Sequence, residues 1–227
     1  IMHLQSGDIT HYEALLRIFD EENKPYSSEK LILAAERSGM IQELDERIIE
    51  KVISHKAALE IRGINAKLSI NLSGLSFRNE RLLPHIERSM KQLDVDPETL
   101  IFEITETAAL ADVGATSEIM HGIKKMGCQF ALDDFGVGFS SLYYLKQLPI
   151  DYIKIDGSFI RHLHEDPDDQ ILVRALVEVS RAFGQFTVAE SVEHEETMHL
   201  LRELGVDFAQ GYFIDHPQPV DVVWGKT

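Results

Sequence analysis

Short apolar runs of four to six residues alternate along this chain with longer segments whose apolar positions recur at three and four. Ile9 to Leu16 reads as a strand, with Glu13 inside it and Arg17 just past it. Ser27 or Ser28 can cap a helix through about Ser38 that Gly39 ends, and Ile41, Leu44, Ile48, Ile49, Val52 and Ile53 mark a second helix. The strand Lys67–Asn71 follows, then a helix around Leu82–Leu93 and the strand Leu100–Ile104. Ile119, Ile123 and Met126 mark another helix, stopped by Gly127, and an apolar run then ends at Asp133 and Asp134 before a glycine-rich turn. Ser140–Lys146 predicts a short helix halted by Pro149, Tyr152–Ile155 a strand, and Asp168–Phe183 a long amphipathic helix closed by Gly184. Phe186–Glu190, Glu195–Leu204 and Val206–Gln210 complete the order as strand, helix and strand.

Strands alternating with helices pair in parallel through right-handed crossovers. Seven such strands are predicted, and each carries a polar residue at or near its C-terminal end: Glu13, Asn71, Glu103, Asp133, Lys154, Glu190 and Gln210. A doubly wound open sheet gathers such groups mainly at its switch point. Contributions from all seven strands favour a closed barrel, whose active site lies on the face where these ends converge. The eighth strand would be the N-terminal one, with Ile1–Leu4 as its remnant.

At 227 residues the chain suits one large domain, residues 1–227. No apolar run is long enough to span a bilayer, and no signal peptide is visible. An isoleucine at position 1 leads to the expectation that the chain is a piece of a longer multidomain protein. The single cysteine, Cys128, excludes an internal disulfide and fits a reducing, cytoplasmic setting. A formal net charge of -16 argues against a nucleic-acid polymer as partner.

The charge matters most at the converging strand ends. Glu13, Glu103, Asp133, Asp134 and Glu190 would form a dense negative cluster with one nearby cation, Lys154. Carboxylates so close cannot all stay ionised without counter-ions. An all-oxygen donor set, including the amide of Asn71, suits Mg²⁺ or Mn²⁺ rather than Zn²⁺. Five carboxylates exceed the needs of one such ion. Two ions roughly 3.5–4 Å apart would use them, an arrangement suited to in-line displacement at a phosphodiester.

Two other motifs carry less weight. Asp134-Phe-Gly136 spells the kinase metal motif, but the phosphate loop and catalytic loop that must accompany it are missing. His194, Glu195 and His199 miss the zincin pattern because the histidines stand five apart rather than four.

Tyr12-Glu-Ala-Leu-Leu-Arg17 resembles the signature of the EAL family of cyclic di-GMP phosphodiesterases. The resemblance continues through Ser69-Ile-Asn-Leu-Ser73, Phe102-Glu-Ile-Thr-Glu106, Leu132-Asp-Asp-Phe-Gly136, Ile153-Lys-Ile-Asp156, Val188-Ala-Glu-Ser-Val-Glu193 and Ala209-Gln-Gly-Tyr-Phe213. It implies an α/β fold, a modified (β/α)8 TIM-like barrel with its first strand antiparallel and largely missing from this chain. It implies that Glu13, Asn71, Glu103, Asp133, Asp134 and Glu190 hold two Mg²⁺ or Mn²⁺ ions, with Lys154 orienting the attacking water. Glu13, Asp133 and Glu190 join Lys154 as the residues on which catalysis depends. Gln210 would line the substrate site and Arg17 contact a substrate phosphate. Asp156 and Glu193 would support the ligands from behind, and Glu106 would anchor the loop after Asp134. The substrate would be cyclic di-GMP and the product linear pGpG. The expected setting is a homodimer governed by regulatory domains of a full-length protein that can carry a membrane anchor.

The chain departs from the family pattern at three places. Val137 stands where threonine is usual, Ser191 where glycine is frequent, and the usual Gln-Pro-Ile of the first strand is essentially absent. Two competing readings are a non-catalytic receptor for cyclic di-GMP and a protein-interaction module.

Overall fold

The strand ends do converge on one rim. A computed structural model describes residues 1–137 and 146–225. Its main sheet has eight strands in the order β1-β10-β9-β8-β7-β6-β5-β2. These are β1 Met2–His3, β2 His11–Ala14, β5 Lys67–Asn71, β6 Leu100–Thr105, β7 Gln129–Phe135, β8 Tyr152–Ile155, β9 Phe186–Ala189 and β10 Phe208–Ala209. Seven strands run parallel, and β1 lies antiparallel on β10 through Met2–Ala209 and His3–Phe208. The remnant of the first strand therefore survives with the expected direction. The seam between β1 and β2 is drawn together by an antiparallel bridge from Met2 to Ile9 and by Thr10 N–H donating to Ile1 O at 3.0 Å. The result is a nearly closed barrel.

Outside the barrel lie α1 Ser28–Ser38, α2 Ile41–Ile61, α3 Leu82–Leu93, α4 Glu106–Ala111, α5 Val113–Lys125, α6 Pro167–Ala182, α7 Glu195–Leu204 and α8 Val220–Trp224, numbered along the described residues. Their ends follow local chemistry. Ser27 Oγ accepts from Lys30 N–H to cap α1, and Gly39 ends it in the left-handed region. The principal core lies between helices and sheet, with Ile49, Ile53, Ile86, Phe102, Ile123, Phe130 and Ile153 wholly buried. No helix of the described residues is long and apolar enough to cross a membrane.

The barrel interior has two storeys. Ile101, Ala131, Tyr152 and Val188 pack together inside, with Phe208 against them. Rings from the first residues of β2, β8, β9 and β10 form the floor: His11 lies 5.3 Å from Phe208 and 5.6 Å from Tyr152, and Tyr152 lies 5.7 Å from Phe186. Because side chains alternate along a strand, the residue two positions onward rises above each floor residue.

Some expected boundaries shift. β2 is shorter than Ile9–Leu16 because Ile9 bridges to β1, and beyond Ala14 the chain leaves for a small hairpin, β3 Ile18–Phe19 with β4 Pro25–Tyr26. β7 runs past Asp133 to Phe135, and Glu106 opens a helix that the apolar pattern did not reveal. Residues 140–145 of the expected helix Ser140–Lys146 lie outside the described residues, including Tyr143 and Tyr144.

Candidate active site

Lys154 stands at the centre of the upper storey. It is two residues beyond Tyr152 on β8 and only 1% exposed. Its Nζ lies 2.6 Å from Glu103 Oε2, 2.9 Å from Glu190 Oε1, 3.1 Å from Asp133 Oδ1 and 3.7 Å from Glu13 Oε2. The sequence suggested one cation near the acids; the structure makes that ammonium the hub of four.

The two amides knit the acids together from the other side. Asn71 Nδ2 donates to Glu13 Oε1 at 2.8 Å. Gln210 Nε2 donates to Glu190 Oε1 at 2.8 Å and to Glu13 Oε2 at 3.2 Å, so it spans the seam of the barrel.

Asp133 and Asp134 are adjacent, and in a regular strand they would face opposite sides. A bulge solves this. The register on β8 slips between Leu132 and Phe135, and Asp134 adopts a left-handed φ of 55°. An extra residue with αL geometry re-aims side chains at a sheet rim. Asp133, Asp134 and Glu190 can each bring a carboxylate oxygen within 4.8 Å of the others. The main-chain N–H of Gly136, just beyond, donates to Glu106 Oε2 at 3.3 Å, and Glu106 is itself buried at the start of α4.

Charge in this confined space is unevenly settled. Burial, with Glu13 and Asp133 adding to it, outweighs Lys154 and pushes the Glu103 carboxyl up to about 7. Burial, abetted by Asp133, likewise takes Glu190 up to about 7 despite Lys154. Burial also acts on Glu13, but Lys154 and the bonds from Asn71 and Gln210 prevail and hold it below the usual range. Burial acts to lower the pKa of Lys154, but the surrounding carboxylates prevail and hold it well above 10.5. Asp134 is raised by burial, then by Asp133 and Asp156. One ammonium thus leaves the acids under-neutralised, and an all-oxygen rim of this kind fits a hard divalent cation.

Other sequence candidates lie apart from this hub. Arg17 is exposed, and its Nη1 donates to Leu16 O at 3.1 Å. Glu193 is exposed and, among the described residues, bonds to none of the cluster. Asp156 is half-buried, and its Oδ1 accepts from Ser158 N–H at 2.8 Å while its charge bears on Asp134. Asp45 adds a buried acid that the strand-end pattern does not include. It is 4% exposed on α2, and its Oδ2 accepts from Ser73 N–H at 3.0 Å and Ser76 Oγ at 2.6 Å, pinning the loop that leaves Asn71. Its signal was a charge at an apolar-face position between Ile41 and Ile49.

Comparison with known proteins matches residues 1–217 to the EAL domain family. The chain is 38% identical over 208 residues to the cyclic di-GMP phosphodiesterase PdeB of Shewanella oneidensis, covering 92% of this chain and 24% of that protein. It is 33% identical over 214 residues to the cyclic di-GMP phosphodiesterase PdeF of Escherichia coli K12, covering 94% of this chain and 28% of that protein. The chain therefore spans about a quarter of the length of these curated relatives. Among solved structures, the PaMucR phosphodiesterase in complex with c-di-GMP aligns with a TM-score of 0.92 at 31% identity, over 98% of this chain and 90% of that one. The FimX EAL domain from Pseudomonas aeruginosa bound to c-di-GMP aligns with a TM-score of 0.88 at 27% identity, over 96% and 87%. With the signature residues on one barrel rim and the family match running through residue 217, the chain belongs to the EAL domain family.

Proposed function

We propose that this domain hydrolyses cyclic di-GMP to linear pGpG with the aid of two Mg²⁺ or Mn²⁺ ions. The observation that carries this reading is the convergence of Glu13, Glu103, Asp133 and Glu190 on Lys154, with Asp134 beside them. Glu13, Asn71, Glu103, Asp133, Asp134 and Glu190 would hold the ions. Bound there, the ions supply Lewis-acid stabilisation at the phosphoryl oxygens and lower the pKa of water.

The chain's own groups then divide the remaining work. Lys154 is kept protonated by its neighbours, so it is a donor that orients the attacking water and balances growing negative charge rather than a base. Gln210 holds Glu13 and Glu190 in register across the seam. Arg17, exposed just past the same rim, offers a fork-shaped cation to a substrate phosphate. The charge of Asp156 bears on Asp134, and Glu106 fixes the turn after Asp134. Neighbouring domains of a longer protein would govern the activity, as the length of the relatives supports.

Incubation with cyclic di-GMP and Mg²⁺, followed by chromatography, tests this. Linear pGpG should accumulate, and a chelator, Glu13→Ala or Asp133→Ala should each stop it. Nucleotide binding without product would replace this reading with the receptor alternative, which the nucleotide-bound FimX domain keeps in view.

A further inference from the structure

Glu13 is the one carboxylate of the hub that rides on a singly flanked strand. Glu103, Asp133, Lys154 and Glu190 lie on β6, β7 and β8 or just past β9, each hydrogen-bonded to strands on both sides. β2 pairs with β5 alone. On its other flank the described contacts from β1 reach Ile9, Thr10 and His11 and stop below Glu13.

Inside the barrel Gln210 holds the Glu13 carboxylate across the seam, while the contact on the outer face of β2 at this height comes from far along the chain. Tyr12 and Glu13 share a peptide bond and face opposite sides of the strand, Glu13 inward and Tyr12 outward. The Tyr12 ring meets Trp224 edge-on, with centroids 4.7 Å apart and planes at 70°. Both side chains are partly buried and pack against the main core. Trp224 closes α8, and its carbonyl accepts a hydrogen bond from Arg62 Nη2, just past the end of α2. The rest of α8 is loosely held, with Val222 64% exposed. Trp224, unlike its partners Tyr12 and Arg62, lies beyond residue 217, where the family match ends.

We propose that Trp224 is a positioning residue for Glu13. By pressing on Tyr12 it holds the outer face of β2, and so sets where the Glu13 carboxylate stands relative to Lys154, Asn71 and Gln210. The inference rests on the reading of Glu13 as a metal ligand. Loss of the indole should let β2 drift outward, spoiling a ligand position without emptying the core. An edge-on aromatic contact contributes beyond its buried area, and phenylalanine can keep most of it.

The test compares the parent with Trp224→Phe and Trp224→Ala. Calorimetric Mg²⁺ titration should show affinity weakened about tenfold in Trp224→Ala, the scale seen when groups behind a metal ligand are removed, and nearly restored in Trp224→Phe. Tyr12→Ala should match Trp224→Ala, and combining the two should add little. Turnover of cyclic di-GMP should fall in Trp224→Ala with KM little changed. Trp224 is also the sole tryptophan, so Mg²⁺ binding should shift the emission of the parent. A Trp224→Ala protein that melts earlier yet binds Mg²⁺ as the parent does would make the indole mere packing and overturn the proposal. If Trp224→Ala fails to fold, Arg62→Gln frees the other tether of the clasp from an exposed position and is judged by the same Mg²⁺ criterion. A parent that takes up no Mg²⁺ overturns the metal-dependent reading and this inference together. Normal parental binding with unchanged variants overturns this inference alone.

Discussion

The backbone N–H of Gly136 donates to the buried carboxylate of Glu106, 30 residues earlier in the chain and on a different element. That bond ties the turn after Asp134 to the start of α4. Hydrogen bonds to an ionised acceptor are worth about twice neutral ones. Glu106→Gln should therefore loosen the turn and move Asp134 with it. The expected outcome is Mg²⁺ and nucleotide affinity each lowered by about tenfold, and lower turnover, with the circular-dichroism spectrum unchanged. Affinities and turnover equal to the parent's would show that the turn is held by something else.

Lys154→Met should reduce turnover about 100-fold or more, the scale of losing one preorganised donor, and affect nucleotide binding less. Substrate phosphates would be held chiefly by the ions and Arg17. The metal-free variant should also be less stable by about 3–5 kcal/mol, because four carboxylates lose their shared cation. Added Mg²⁺ should recover much of that stability, as urea melts with and without the ion will show. Unchanged turnover with weaker nucleotide binding would make Lys154 a substrate clamp instead.

Cys128 sets an alkaline limit. It is fully buried before β7, and burial, aided by Asp96, pushes its thiol from 9.0 up to about 12. Between those values the unfolded chain has lost a proton that the folded chain keeps. Stability from this group is therefore fully present below pH 9 and lost as pH rises toward 12, by about 1.4 kcal/mol per pH unit over much of that interval. Tyr152, raised by burial to about 12, acts in the same direction. Unfolding measured from pH 8 to 11 should fall less steeply in Cys128→Ala than in the parent. Parallel curves would refute the assignment.

Ser191 holds φ of 54°, a region costly for a side chain, and its Oγ would lie 2.4 Å from a Cβ placed on Gly157. Relief of the left-handed strain is worth about 1–2 kcal/mol. Added freedom of a glycine in the unfolded chain takes back about 0.4–1 kcal/mol. Ser191→Gly should thus stabilise by about 0.5–1 kcal/mol in denaturant unfolding. Gly157→Ala should be destabilising in the parent and tolerated in the Ser191→Gly background. Additive effects of the two substitutions would show that the residues do not press on each other.

Much of this architecture was written in local pattern. Lys67–Asn71 and Leu82–Leu93 show their type in their own apolar spacing, and the observed elements agree. The rim was legible because strand alternation forces Glu103, Lys154 and Glu190 to one place. What local pattern could not show was contact between distant segments. Asp133 looked like a strand end because carboxylates punctuate apolar runs; the bulge that carries β7 to Phe135 depends on its fit against β8. The helix Glu106–Ala111 is too short for periodicity to register. Trp224 carries no local signal of its place, and only the folded chain identifies Tyr12 as its partner.

The ringed floor beneath Lys154 makes the site a dead end. His11, Tyr152, Phe186 and Phe208 stop the barrel below, so nothing that enters at the rim can pass through. On the proposed reaction, the opened dinucleotide must retreat by the door its cyclic parent needs. The two molecules then queue for one threshold. Added pGpG should accordingly raise KM for cyclic di-GMP and leave kcat untouched, and a depressed kcat would mean that the product leaves by another route.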